Sequence, residues 1–356
     1  MKDLFREIAI HPHATKKIAK YIEIVGSTNP RINAMARDSQ LTIQRVLRER
    51  YTNVGITHVN NMADLEALVA KKPDLVVLGM KLVLLDPTVS YEDSPKVWLS
   101  EYLAAHGINI TGSDTSALAL EFDKPLAKQA VIDAGLQSAA YFKSPIACPA
   151  TSHNLRFPLF VKPTNRGDSK GIDEMSVVHS DDALWTKVHS IHADYGSDAL
   201  IEEYLPGREF SVAVIRQSRS LNLRAMPIEI ISPTDTQGNA FLSEAVKDAD
   251  SEQVTVVTDQ VLRNTLNTLA IGVFKALGAR DYGRIDMRLN ADGTPCFIEA
   301  NLMPGLSNHG YLVRCFTLNK RTSYEDMILS IVGLALERRN MPIQTGRDAM
   351  MQLAAV

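Results

Sequence analysis

Residues Tyr282 to Gly305 read YGRIDMRLNADGTPCFIEANLMPG, and the order of residue types in that stretch decides the fold. Arg284 and Asp286 stand two apart, Asp292-Gly293 marks a turn, and Glu299 and Asn301 again stand two apart. Residues i and i+2 of a strand share a face, and Asp-Gly between two runs rich in apolar residues is a hairpin signal. The spacing predicts two antiparallel strands that bring Asp286, Glu299 and Asn301 together beside Arg284. Magnesium takes a few carboxylate or amide oxygens and leaves the rest of its shell to phosphate and water. The planar fork of arginine suits a phosphoryl group or an oxyanion. A surface hairpin with its charges in water explains any one of these residues. It explains poorly all four, followed at once by Pro304-Gly305.

The chain has 356 residues, enough for more than one domain, since single cores stop growing at about 250 to 300 residues. With 45% hydrophobic residues, 22% charged residues and a net charge of -3, it reads as an ordinary soluble protein with no electrostatic reason to bind nucleic acid or membrane. Cys148, Cys296 and Cys315 show no metal-ligand spacing and read as unpaired packing residues in a reducing compartment. The leader MKDLFREIAIHPHATKK has neither an apolar segment nor a cleavage site, which argues against a secretory signal. Leu75 to Leu85, broken by Lys81, falls short of the roughly 20 residues of a membrane span. A cytoplasmic location is expected.

Strands at Ile18–Val25, Val54–Val59, Asp74–Leu78 and Ile108–Thr111 alternate with helical spacing at 35–50, 63–70 and 97–105. That alternation implies right-handed crossovers and a parallel sheet, so residues 1–113 read as a doubly wound domain. The turn VGSTNPR lacks a GxGxxG fingerprint, which argues against a nicotinamide cofactor. Ala117 to Gly135 reads as two helices, the second opening at Lys124-Pro125, where proline is tolerated. Strands are expected at 155–162, 176–178, 199–204 and 209–215, a helix at 183–191, and a tight turn at Pro206-Gly207. Ser232 to Glu252 is polar, aperiodic and long for a loop, which favours a functional lid. Val261–Leu277 and Tyr324–Arg338 carry helical patterns.

Lys162 ends the strand of LFVKPTNRGDSKG, and glycines in the following turn allow backbone N–H groups to cradle an anion. Taken alone, a solvated turn explains that segment better. In IEEYLPGREFSV, Glu209 follows the turn, and a carboxylate accepts two hydroxyl donors such as a ribose presents. An exposed strand charge is the alternative.

The series FDK, FVKP with GDSKG, EEYLPGREF, GRIDMRL, IEAN and PG resembles the ATP-grasp ligases, and more narrowly the D-alanine:D-alanine ligase group, from Phe122 to about Gly310. The resemblance implies an α/β ATP-grasp fold: an N-terminal doubly wound domain (1–113), a central subdomain (114–200) and a C-terminal subdomain with metal site and lid (201–356). It implies that Lys124 and Lys162 hold ATP phosphates, that backbone groups of Glu203 and Tyr204, with Glu202 nearby, read the adenine edge, and that Glu209 holds the ribose. Asp286, Glu299 and Asn301 would coordinate two Mg2+ ions, with Mn2+ as a substitute. Arg284 and the Gly305 N–H would stabilise an oxyanion, and Lys247 would face the transferred phosphate or the acceptor carboxylate. The implied activity is ATP-dependent ligation of a small carboxylate donor to an amine acceptor, in a homodimer. Alternatives are D-alanine:D-alanine ligation proper, a kinase or a carboxylate–thiol ligase on the same scaffold, and a binding protein without turnover. The chain departs from the family at four positions. Ala36 stands where a glutamate grips the donor ammonium, Asp168 replaces a serine of the glycine-rich loop, Asp248 replaces a lid tyrosine, and Gly310, beside His309, replaces the serine that binds the acceptor carboxylate.

Overall fold

The structure, a computed structural model, describes residues 16–86, 88–89, 94–167, 169–235, 238–320 and 322–338. Residues 1–15 of the leader, and Asp168, lie outside the described residues.

The described residues open with β1 (Ile18–Gly26), α1 (Arg37–Arg50), β2 (Tyr51–His58), α2 (Met62–Ala70) and β3 (Leu75–Leu78). A short antiparallel pair, β4 (Leu82–Leu84) and β5 (Lys96–Trp98), precedes α3 (Leu99–Ala105) and β6 (Asn109–Ile110). The strands form a parallel sheet in the order β2-β1-β3-β6, as expected of a doubly wound unit. Its apolar strands are covered on both faces. Val25, Val76 and Leu78 join the core of α2 and α3, while Ile22, Ile24, Leu75 and Val77 join Ile43, Val46 and Leu47 of α1. The helix expected from Val97 begins at Leu99 because Lys96–Trp98 pairs with β4 instead.

Two capped helices follow, α4 (Thr115–Phe122) and α5 (Lys124–Asp133). Asp123 accepts from the Leu126 N–H, and Pro125 sits in the first turn of α5, where its missing N–H costs nothing. An antiparallel sheet comes next: β7 (Tyr141–Ser144), β8 (Leu159–Pro163), β9 (Val177–Val178) and, after α6 (Asp181–Tyr195), β10 (Ala199–Glu203), in the order β7-β10-β8-β9. Val161, Leu184, Val188, Ile191 and Ile201 give it a small core of its own.

The last sheet contains β11 (Glu209–Arg216), β12 (Leu223–Ile231), β13 (Gln253–Val256), β14 (Tyr282–Leu289) and β15 (Pro295–Asn301), antiparallel in the order β13-β12-β11-β14-β15. Helices α7 (Glu244–Asp248), α8 (Gln260–Ala276), α9 (Tyr311–Lys320) and α10 (Tyr324–Arg338) complete the described residues. β7, β12, β13 and α9 were not anticipated. Pro227 disguises β12, yet it is tolerated because β13 pairs only with Ile228 to Ile231 and leaves that edge unpaired at the proline. Among its described residues the lid contains one helix, α7. α10 packs on α1 and the parallel sheet rather than on its neighbours in sequence alone. Cys296 and Cys315 are buried, and burial pushes the Cys315 thiol up to about 12, but Cys148 is exposed, so the packing expectation fails for that residue. Among the described residues no helix is long and apolar enough to cross a membrane.

Candidate active site

The alternation of YGRIDMRL sorts β14 into two faces. Ile285, Met287 and Leu289 enter the core with α8, while Arg284, Asp286 and Arg288 share the opposite face. In register, Glu209, Ser211 and Ala213 of β11 stand opposite Arg288, Asp286 and Arg284, and Glu299 and Asn301 of β15 stand opposite Asp286 and Arg284. The hairpin at Asp292-Gly293 thus brings the four predicted residues onto one sheet face. The pairing then slips from Asp286–Glu299 to Met287–Phe297, which leaves Ile298 as a bulge. Bulges re-aim side chains, and here both Ile298 and Glu299 line one pocket.

Arg284 grips Asp286 with both arms of its fork, Nε to Oδ1 at 3.0 Å and Nη2 to Oδ2 at 2.9 Å. The Ser211 hydroxyl donates to the same Oδ1 at 2.6 Å. Burial disfavours the Arg284 charge, but the Asp286 carboxylate more than compensates and holds the guanidinium protonated. Among the described residues no three His, Cys, Asp or Glu side chains converge as a metal cluster. The available donors are two carboxylates and an amide, the sparse set magnesium uses when phosphate supplies further oxygens.

Across the pocket stands a buried lysine pair that shares one carboxylate. Glu202 Oε1 lies 2.5 Å from Lys128 Nζ and Oε2 lies 2.6 Å from Lys162 Nζ. Burial alone would raise the Glu202 carboxyl, but the two ammonium groups outweigh it and hold it below the ordinary range. Lys124 donates to the Arg166 carbonyl and lies 3.9 Å from Glu299; burial pushes its pKa down, with Glu299 opposing. Glu299 is likewise raised by burial but held low overall by Lys124, Lys162, Lys247 and Arg284. Lys128 was missed by the sequence reading. It lies one helical turn after Lys124, and that i, i+4 spacing was the available signal.

A pocket lies between the β7-β10-β8-β9 sheet and the five-stranded sheet. Phe160, Ile172, Leu205, Phe241 and Ile298 form an apolar end, and Lys162, Lys247, Asp286 and Glu299 a charged one. The N–H groups of Glu203 and Tyr204 are already committed, to Ala140 O and Pro158 O at 3.0 Å each. The next residue, Leu205, lines the pocket. Glu209 enters near Arg288, whose Nη1 donates to its Oε2 at 3.2 Å. Burial raises the Glu209 carboxyl, Arg288 opposing only in part.

Lys247, on α7, lines this pocket, whereas its neighbour Asp248 lines a separate cleft with Asp173, Asp235 and Glu244. Asp248 therefore adds no charge to the pocket wall. Gly305 approaches the N-terminal domain so closely that a Cβ there would lie 3.2 Å from Ala34 O. Ala36 caps α1 without a side-chain hydrogen bond. A Cβ on Gly310 would stand 3.0 Å from Ser307 Oγ, so a hydroxyl already occupies the space beside the absent serine. Tyr311, next in line, is flanked by the guanidinium groups of Arg284 and Arg314 at 5.4 and 5.6 Å from its ring centroid, and its hydroxyl donates to Glu252 at 2.6 Å.

The family described as D-ala D-ala ligase C-terminus matches residues 133–333, more than half of the chain. The chain belongs to the D-alanine–D-alanine ligase family. Among its relatives, the D-alanine–D-alanine ligase of Bordetella petrii is 29% identical over 242 residues, 66% of this chain and 71% of that protein. An uncharacterized protein, y4sG, of Sinorhizobium fredii is 31% identical over 236 residues, 65% of this chain and 68% of its own length. The fold is that of the D-alanine–D-alanine ligase from Bacillus anthracis complexed with ATP, with a TM-score of 0.67 at 18% identity over 90% of this chain and 99% of that one. It is also that of the VanG D-Ala:D-Ser ligase from Enterococcus faecalis, with a TM-score of 0.62 at 19% identity over 89% of this chain and 100% of that one. This D-alanine–D-alanine ligase family member is thus an ATP-grasp enzyme, an ATP-dependent ligase of the carboxylate–amine class.

Proposed function

We propose that this ligase joins an amino acid to a small carboxylate through an acyl phosphate, with the nucleotide in the pocket between the two antiparallel sheets. The observation that carries the reading is the single sheet face bearing Glu209, Arg284, Asp286, Glu299 and Asn301, opposed by Lys162 and Lys124. On this reading the adenine enters the apolar end and takes the Leu205 N–H, Glu209 accepts from the ribose, and the lysines meet the phosphates. Asp286, Glu299 and Asn301 would hold magnesium, which when bound neutralises phosphate charge. The central unit (114–200), whose sheet runs on through β10 to Glu203, and the C-terminal unit (201–356) then enclose the nucleotide, and the N-terminal unit (1–113) reaches the site at Ala34.

A donor carboxylate oxygen attacks the γ-phosphorus and ADP leaves. The acceptor nitrogen then attacks the acyl carbon, loses a proton, and inorganic phosphate departs. Arg284 and the Gly305 N–H stabilise the oxyanion at that carbon, the kind of fixed donor that accounts for much of catalysis in such steps. Arg284 meets it by turning from Asp286, whose carboxylate then becomes free.

Ala36 cannot pair with a donor ammonium, and losing such a charged contact costs about 1.5 to 3 kcal/mol, so a donor other than D-alanine is expected. Ser307 is positioned to supply the hydroxyl that Gly310 lacks. The test is phosphate release with ATP and Mg2+ over pairs of amino acids and small carboxylates, with hydroxylamine present in parallel. Hydroxamate formation marks an acyl phosphate, whereas a kinase acting on an alcohol gives none. Efficient D-alanyl-D-alanine synthesis, with no better pair in the panel, would refute the substrate argument and leave D-alanine:D-alanine ligation proper.

A further inference from the structure

Arg288 completes the row of Arg284 and Asp286 on β14, yet the hairpin logic assigns it no part. Its side chain is 8% exposed and lines the pocket. It stands directly opposite Glu209 in the β11–β14 register. Nη1 donates to Glu209 Oε2 at 3.2 Å, and Nη2 donates to the Tyr204 hydroxyl at 3.3 Å and to the Ala240 carbonyl. The guanidinium also lies 5.3 Å from the centroid of the Tyr204 ring. Its Nε–H is buried and has no partner among the described residues.

We propose that Arg288 is a positioning residue of the ribose subsite, clamping the Glu209 carboxylate so that its free lone pairs face the ribose hydroxyls. The proposal rests on the nucleotide reading above. An ionised carboxylate offers about four acceptor sites, and Arg288 occupies one oxygen from one side. The remaining sites stay open to the pocket while the terminal torsion, otherwise broad, is fixed. Stacking on Tyr204 holds the plane of the fork, and the two Nη2 bonds hold its distance. The same guanidinium touches the residue that follows β10 (Tyr204), the start of β11 (Glu209) and the lid (Ala240), so it ties the carboxylate to three walls of the pocket. The unpartnered Nε–H leaves one further donor for an oxygen of the bound nucleotide. A plain structural ion pair needs neither this triple anchorage nor an unspent buried donor.

A clamped Glu209 makes the site sensitive to the ribose hydroxyls. The probes are ATP and 2′-deoxy-ATP with Mg2+, their affinities measured by displacement of a fluorescent ATP analogue from the full chain. A hydrogen bond to a charged group converts to about tenfold or more in affinity, so the wild-type protein is expected to prefer ATP by at least that ratio. In Arg288→Met the ratio is expected to fall below about threefold, because the freed carboxylate no longer presents fixed acceptors. Arg288→Lys keeps the charge but not the fork and is expected to lose at least half of the discrimination. A folded methionine variant with the wild-type ratio overturns the proposal. If that variant does not fold, a lysine variant with undiminished discrimination, or a wild-type ratio near one, overturns it equally. ATP binding without ribose discrimination would remove this proposal alone; no nucleotide binding at all would remove the ATP reading with it.

Discussion

Glu202 and Glu299 both lie in the field of Lys162, and the environment of each carboxylate separates a structural from a chemical role. Glu202 is 6% exposed and neutralises two ammonium groups that have no water to turn to. Replacing it by alanine strands both lysines, and removing one partner of a buried ion pair costs on the order of 3 to 5 kcal/mol. Glu299, 30% exposed and 3.9 Å from Lys124, has water as an alternative partner, so Glu299→Gln should cost about 1 kcal/mol or less in stability. The same change should lower turnover by at least about 100-fold, the scale of a lost electrostatic element. Thermal unfolding and phosphate release on the two variants check the contrast, and a stable Glu202→Ala protein would refute it. The pH dependence follows from the direction of the Glu202 shift. Its carboxyl is held below the ordinary 4.5 in the folded protein, so the unfolded chain binds the proton more tightly. Its contribution is therefore full above that value and is lost as pH falls through and below it. The difference in melting temperature between wild type and Glu202→Ala should narrow on acidification below about pH 4.5. A gap that stays constant would mean that the glutamate acts through packing rather than charge.

At the scale of elements, the two-residue period of β14 and β15 made Arg284, Asp286, Glu299 and Asn301 legible, because a strand converts spacing directly into a shared face. Arg288 obeys the same period and was passed over because its partner, Glu209, comes from another strand whose register no local pattern specifies. Lys128 carried only the faint signal of its i, i+4 spacing from Lys124, because a helix shows that one face is buried and not that Glu202 waits there. The lid shows how burial ranks contacts that look alike. It is pinned on one side by Ser169 Oγ donating to Leu242 O at 2.8 Å and on the other by Asp250 and Glu252 meeting α9. Asp250 is 74% exposed, so its 3.0 Å pair with Arg314 is worth about 1 kcal/mol at most. Glu252 is 3% exposed, and its bond from the Tyr311 hydroxyl, to a charged acceptor, is worth about 1.5 to 3 kcal/mol. Tyr311→Phe should therefore speed proteolytic cleavage within residues 232–252 by roughly tenfold or more, if cleavage follows local opening. Asp250→Ala should change it less than about fivefold. Equal rates in the two variants would show that the tyrosine does not latch the lid.

For the whole molecule, the arrangement of cores predicts where a nucleotide acts. The parallel sheet was legible because apolar strands alternate with amphipathic helices, but the destination of α10 was not, since helical periodicity never names the surface that a face will meet. α10 joins the parallel sheet and the five-stranded sheet through shared cores, and Arg338 fastens its end to Gly112 O at 2.8 Å and Asp281 Oδ2 at 2.7 Å. The sheet of β7 to β10 instead keeps a small separate core around α6. Small, loosely connected units open locally at less than the global cost, so this sheet should exchange its amide hydrogens faster than β11 or β14. The pocket lies between it and the five-stranded sheet, with Phe160, Lys162 and Glu202 on one side and Glu209, Asp286 and Glu299 on the other. A ligand there binds only when both walls are formed. At a concentration about 100 times its dissociation constant it adds about 2.7 kcal/mol to the bound state, and that gain falls on the weaker wall first. A non-hydrolysable ATP analogue with Mg2+ should thus slow exchange most at Leu159–Pro163 and Ala199–Glu203, while the parallel strands change little. Saturating analogue that protected β11 and β14 but left those two strands unchanged would show that the nucleotide does not bridge the sheets.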